Sequence, residues 1–170
     1  MKPAQSRKPQ RIEPILACVN PRDIVLRPAH PQDAPEIGEI FLAASKQTLS
    51  FLPKIHTDDQ VRRWIREVVV PKTTVWVAET AREVVGFFSL NGQSLEHLYV
   101  HPDHQGMKVG TTLLDQARLL SPDRLQLYTF ARNQGARRFY ERHGFRAISF
   151  GQDNEENEPD VLYVWTASAG

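Results

Sequence analysis

Residues 73–100 constrain the fold more than any other stretch of this chain. Thr73–Glu79 is rich in β-branched and aromatic residues, Glu83–Leu90 has the same character, and Leu95–Val100 has it again. Asn91-Gly92 lies between the second and third runs, and such a pair between apolar runs is a strong local signal for a tight hairpin. Strands joined this closely pair antiparallel, because a parallel crossover needs a dozen or more residues. A sheet that is parallel throughout is therefore excluded.

Before the meander, Ile24–Arg27 reads as a short strand ending at Pro28. Ile37, Ile40, Phe41 and Ala44 fall on one helical stripe, with Asp33 as the expected N-cap and Pro35 in the first turn. Thr57 and Gln60 form a capping-box pattern ahead of Val61, Trp64, Ile65 and Val68, and Pro71 is expected to stop that helix. After Pro102, Val109, Leu113, Ala117 and Leu120 mark a third helix and Leu125–Phe130 a strand. Ala136, Phe139, Tyr140 and His143 mark a fourth helix closed by Gly144, and Phe145–Phe150 and Val161–Trp165 are the last strands. The order β-α-α-β-β-β-α-β-α-β-β predicts an α/β protein of the α+β type, a mixed and mostly antiparallel sheet of about six or seven strands with about four flanking helices.

At 170 residues the chain is long enough for one domain without staples, and its single cysteine, Cys18, cannot form an internal disulfide. Residues 1–22 read as a basic, proline-containing N-terminal arm, 23–166 as the domain and 167–170 as a tail. The net charge of +1 gives no reason to expect nucleic acid or a membrane surface as partner. No apolar run approaches the ~20 residues of a membrane span. With no secretory signal in view, a cytoplasmic protein is expected.

The informative stretch for chemistry runs from Leu98 to Gly110: a strand, a glycine-bearing loop and a helix start. A helix N-terminus leaves N–H groups without partners and carries partial positive charge, so a loop feeding into it can wrap a diphosphate. The loop lacks the Gly-Lys-Ser/Thr ending of a Walker loop and the glycine spacing of a dinucleotide fingerprint. His97, His101 and His104 match no standard zinc spacing, and no metal is expected.

This stretch resembles the acetyl-coenzyme A motif of the GNAT (GCN5-related N-acetyltransferase) superfamily, a Gln/Arg-x-x-Gly-x-Gly/Ala loop after a strand ending in Val-x-Pro. Gln105, Val109 and Gly110 match, with the extra Gly106 often seen beside the glutamine. Asn133 to Phe145 resembles the second signature of the family, Asn-x-x-Ala-x-x-Phe-Tyr-x-x-x-Gly-Phe. Lys108 departs from the pattern where glycine is usual. A lysine adds a charge that can meet a phosphate and removes backbone freedom.

The resemblance implies a GNAT-like domain whose fourth and fifth strands splay to admit coenzyme A. The N–H groups of Gln105, Gly106, Met107, Lys108, Val109, Gly110 and Thr111 would cradle the pyrophosphate. Leu98, Tyr99 and Val100 would run beside the pantetheine arm, with Asn133, Ala136, Phe139 and Tyr140 facing it from the next helix. Tyr140 occupies the family position of the general acid that protonates the departing thiolate. Strict strand alternation groups Ser94, Glu96, Leu98 and Val100, which makes Glu96 the candidate base and sends His97 to the other face.

The implied activity is transfer of acetyl from acetyl-CoA, as acyl-donor cosubstrate, to a primary amine of a small molecule or peptide. The alternative is a non-catalytic acyl-CoA-binding regulatory module, and the family's frequent dimers make a homodimer an open partner. Phe51, Leu52, Ile55 and His56 would line one wall of the acceptor pocket. The acidic loop of Asp153, Glu155, Glu156, Glu158 and Asp160 would draw a cationic acceptor if it lies near the cleft.

Overall fold

The computed structural model describes residues 23–81 and 83–168. The arm at 1–22, Cys18 and the last two residues of the tail lie outside the described residues. Thr74–Thr80 (β2), Glu83–Asn91 (β3) and Ser94–Val100 (β4) form the antiparallel meander. The hairpin turn is Gly92-Gln93, one residue later than the Asn-Gly pair suggests, because Asn91 pairs with Ser94. Gly92 has φ +60° and Gln93 has no positive φ, the pattern of a turn that wants glycine first.

Val25–Pro28 (β1) pairs antiparallel with β2. Arg124–Phe130 (β5), Arg146–Gly151 (β6) and Asp160–Thr166 (β7) complete a 7-stranded sheet in the order β1-β2-β3-β4-β5-β7-β6. The expected mixed sheet and its element order are both present. Only the β4–β5 contact is parallel.

Ala34–Thr48 (α1) and the helix beginning at Asp58–Trp64 (α2) cover one face. There Ile37, Ile40, Ile65 and Val69 pack on Val75, Val77 and Phe87. Val109–Leu120 (α4) and Gln134–Arg142 (α5) cover the other, where Leu113, Leu114 and Tyr140 pack on Phe88, Leu125 and Tyr163. Phe87 and Phe88 are neighbours that face opposite layers, so β3 is buried on both sides and reads as a continuous apolar run. Each such buried side chain stabilises the fold by about 1.5–3 kcal/mol.

Two local expectations give way. Pro71 does not stop the second helix, which continues through a π-helical segment, Ile65–Val69, into a last turn, Val70–Lys72 (α3). The wider π turn relieves the clash that a proline ring makes with the carbonyl four residues back. Asp33 precedes α1 but makes no side-chain cap bond. Its carboxylate instead accepts both Arg27 terminal nitrogens, at 2.8 and 2.9 Å, and the His30 N–H at 2.6 Å. That guanidinium holds the Asp33 carboxyl below the usual carboxylate range.

Gly86 sets the position of α4 on the sheet. A Cβ there would sit 3.0 Å from the Tyr99 carbonyl oxygen and from Leu113, and 3.2 Å from Val109. Its absence lets the first turn of α4 lie directly on β3 and β4.

Candidate active site

The site is built where β4 and β5 part. They share one register pair, Ser94 with Gln126, supported by a 2.9 Å bond from the Gln126 N–H to the Gln93 carbonyl. Beyond Ser94 the edge of β4 that faces β5 has no strand partner among the described residues, so the strands splay toward Val100 and Phe130. Leu98 and Val100 are half-buried on the α4 side of the sheet. Gln105 reaches back to the Val100 carbonyl at 3.3 Å and ties the following loop to the strand.

That loop leads into α4. Gly106 has φ +75° and Lys108 has φ +65°, and the Cβ position at Gly106 meets nothing within 4 Å. Lys108 therefore occupies a left-handed conformation that glycine adopts freely, which explains why a glycine is usual there. The Gln105 N–H bonds weakly to the Pro102 carbonyl at 3.4 Å, and the Thr112 N–H bonds to the Lys108 carbonyl at 3.0 Å. Between them, the N–H groups of Gly106, Met107, Lys108, Val109, Gly110 and Thr111 have no acceptor among the described residues. A run of amides without acceptors at the start of a long helix fits an anionic diphosphate.

α5 closes the other side. Asn133 caps it by accepting the Ala136 N–H at 3.1 Å. Phe139 lies 3.6 Å from the Cβ position of Gly110, so α5 packs against the first turn of α4. Tyr140 is buried, its ring 5.2 Å from Phe139 and 5.4 Å from Phe145. Burial, helped by the Tyr99 phenol nearby, pushes the Tyr140 phenol up and keeps it protonated.

The opposite face differs from the alternation expected for β4. Ser89 pairs with His97 and Leu90 with Leu95, so Glu96 is the extra residue of a β-bulge. Leu95, Leu98 and Val100 share the α4 side, while Glu96 is exposed and accepts from the Asn91 side chain at 3.1 Å. His97 and Tyr99 turn toward α1, and Phe41 packs on both, at 5.9 and 4.9 Å. His97 bonds to Ser89 Oγ at 2.6 Å, and desolvation pushes its imidazole down to about 4. It is neutral at ordinary pH.

Two loops distant in sequence meet beside β5. Nε2 of His56 is 3.0 Å from Oε1 of Glu155. The Phe51 ring meets Phe130 edge-on at 6.2 Å, and the Arg132 guanidinium lies over Phe51 at 4.5 Å and beside Glu158 at 3.6 Å. Asn154 anchors the acidic loop through bonds to the Glu158 carbonyl and the Asp160 carboxylate at 2.7 and 2.9 Å. Burial pushes the Tyr99 phenol up, and the Glu156 charge adds a smaller rise. Tyr99 is surrounded by protein yet still reached by solvent.

The sequence points to Glu156 only as one of five acidic loop residues that would draw a cationic acceptor, and to His143 only as part of a helix stripe. Glu156 sits in an irregular loop with no periodicity to aim it. No cluster of three or more His, Cys, Asp or Glu able to hold a metal occurs among the described residues. No helix among them is long and apolar enough to cross a membrane.

Comparison with known proteins bears on this geometry. The family pattern described as acetyltransferase (GNAT) domain matches residues 71–147, which span the meander, the loop, α4 and α5. The chain is 27% identical over 143 residues to the peptidyl-lysine N-acetyltransferase YjaB of Escherichia coli (strain K12), covering 82% of this chain and 93% of that protein. The solution structure of apo-form YjaB from Escherichia coli superposes with a TM-score of 0.72 at 26% identity, covering 84% of this chain and 97% of that one. The PaiA N-acetyltransferase of Thermoplasma acidophilum, solved in complex with coenzyme A, has the same fold, with a TM-score of 0.68 at 18% identity over 85% of this chain and 99% of that one. The domain match over residues 71–147, the likeness to YjaB and the shared fold together support an acetyltransferase of the GNAT superfamily.

Proposed function

We propose that this chain acetylates the side-chain amine of lysine in a peptide or protein, by direct attack within a ternary complex. The carrying observation for the donor side is the run of amides from Gly106 to Thr111 that lacks acceptors among the described residues. Those amides would hold the diphosphate, with Lys108 adding charge. The exposed edge of β4 at Leu98–Val100 would take the pantetheine arm, and Asn133, Ala136 and Phe139 would flank it. Bound acetyl-CoA supplies an acetyl thioester at the gap between β4 and β5.

Tyr140 is proposed as the general acid. Its buried phenol holds a proton at physiological pH and belongs to the core cluster against which Leu98 and Val100 pack. Two carboxylates compete for the base that takes the proton of the acceptor amine. Glu96 lies on β4 but is exposed at a bulge. Glu156 is half-buried in the acidic loop, and its charge acts on the Tyr99 phenol, which favours Glu156.

The acceptor class rests on the acidic loop and on the printed activity of the relative YjaB. The loop meets the wall formed by Phe51 and His56, so the acceptor entrance carries negative charge suited to a lysine side chain. Thiol release from acetyl-CoA, measured with lysine-containing peptides, polyamines and amino sugars, tests the reading. A preference for a small amine over every lysine peptide overturns the acceptor assignment. In pH–rate profiles Glu156→Gln is expected to remove the acidic limb. If Glu96→Gln removes it and Glu156→Gln does not, Glu96 is the base.

A further inference from the structure

His143, at the end of α5, has no part in the acyl-transfer scheme, yet it is bonded to the phosphate loop's own helix. Its Nδ1 lies 2.7 Å from the Phe139 carbonyl oxygen and its Nε2 lies 3.1 Å from Thr111 Oγ1. A carbonyl oxygen only accepts, so Nδ1 carries the hydrogen. In the neutral ring Nε2 is then the acceptor, and the Thr111 hydroxyl must donate to it. The Thr111 side-chain proton is thus committed to His143, although the Thr111 N–H is among the amides without an acceptor. Protonating the ring reverses the pair. Nε2–H then donates to Thr111 Oγ1, and the hydroxyl proton becomes free for a different acceptor.

We propose that Thr111 and His143 form a proton-linked positioning pair for the diphosphate of the acyl donor, in which a charged His143 releases the Thr111 hydroxyl as a further phosphate donor. Donor binding then strengthens as pH falls and takes up a proton. The inference rests on the reading of the Gly106–Thr111 loop as the coenzyme A site.

The charged groups around the pair are few. From α4, Arg118 donates to the His143 carbonyl and lies 3.5 Å from Asp115. From α5, Phe139 places its ring 4.4 Å from the imidazole, with Arg142 over that ring at 5.7 Å, and Glu141 bonds away to Tyr163 at 2.6 Å. Among the described residues no carboxylate pairs with His143. At the loop itself Lys108, His101, Asp103 and His104 are the other charged or titratable side chains, and His101 Nδ1 accepts the Asp103 N–H at 3.2 Å.

Calorimetric titration with dephospho-coenzyme A, between pH 8 and pH 5.5, tests the proposal. This probe keeps the diphosphate and lacks the 3′-phosphate monoester, a group that itself titrates near pH 6. Affinity is expected to rise about three- to tenfold as pH falls, the worth of one added hydrogen bond, with proton uptake seen as buffer-dependent heat. His143→Gln and Thr111→Val should each abolish the rise, and Thr111→Ser should restore it. Where His143→Gln fails to fold, the Thr111 pair carries the test. In the ligand-free protein, nitrogen NMR at pH 8 should find the Nδ1–H tautomer of His143. An Nε2–H tautomer, a flat wild-type profile, or a rise that survives both variants overturns the inference, the last by assigning the effect to His101 or His104. Failure of dephospho-coenzyme A to bind at any pH would instead remove the coenzyme A site itself, so the two failures are separable.

Discussion

Nε2 of His56 and Oε1 of Glu155 lie 3.0 Å apart across 99 residues of sequence, and they tie the loop after α1 to the loop after β6. Both side chains are at least half exposed, at 50% and 61%. So exposed a contact contributes about 0–1 kcal/mol to stability. Its consequence is local, because in the proposed function these two loops bound the acceptor side of the cleft. His56→Ala and Glu155→Ala are each expected to raise KM for a lysine peptide several-fold and to leave the melting temperature and coenzyme A affinity unchanged. Steady-state kinetics with both substrates varied will check this, and an equal weakening toward acetyl-CoA would refute it.

Tyr140→Phe keeps the ring that packs on Phe139 and Phe145 and deletes only the hydroxyl. Turnover is expected to fall by at least about tenfold, within the range lost with a general acid. Binding of coenzyme A should change little, since the amides of the loop are untouched. Single-turnover rates beside calorimetric affinities separate the two quantities. Wild-type turnover in the variant would remove Tyr140 from the mechanism.

Lys108 holds φ +65°, a conformation that costs an L-residue roughly 1–2 kcal/mol and glycine much less. Lys108→Gly is therefore expected to raise stability by up to about 1 kcal/mol once the greater freedom of glycine in the unfolded chain is subtracted. If the ammonium also meets a phosphate, the same variant will bind coenzyme A more weakly, and the loss will shrink at high salt. Denaturant midpoints and titrations at two salt concentrations read both effects. Tighter binding that is independent of salt would mean that backbone freedom alone matters at this position.

The buried His97 makes stability depend on pH with a definite sign. Its imidazole is pushed down to about 4 in the folded protein, against about 6.5 for a free histidine. As pH falls below about 6.5 the unfolded chain takes a proton that the folded chain refuses, and stability drops. The loss stops below about pH 4, where both states carry the proton, and totals roughly 3 kcal/mol. Urea midpoints followed from pH 7.5 to pH 4 should decline more steeply for the wild type than for His97→Gln, which has no charge to gain. Parallel declines would show that His97 titrates alike in both states.

The element order and the two motif segments were legible in the sequence because each depends on neighbours in the chain. The Thr57–Gln60 capping box, the Asn133 cap and Gly144 at φ +84° form where the local pattern placed them. Pro71 misled because the π segment before it changes the turn that the ring must fit. Glu96 was placed by period-two alternation, and one extra residue in β4 breaks that count without any glycine or proline to mark it.

What the sequence by itself determined is the chain-local part of this protein: an antiparallel meander, a loop of amides opening a helix, and a phenol on the helix after the next strand. These follow from periodicity, turn chemistry and the unfilled hydrogen-bonding capacity of a helix start. Only the tertiary structure decided which groups from distant segments meet: Glu155 with His56, and Thr111 with His143. The reason is that such contacts arise from how two layers close on a splayed sheet, and no local pattern encodes the angle at which they do so.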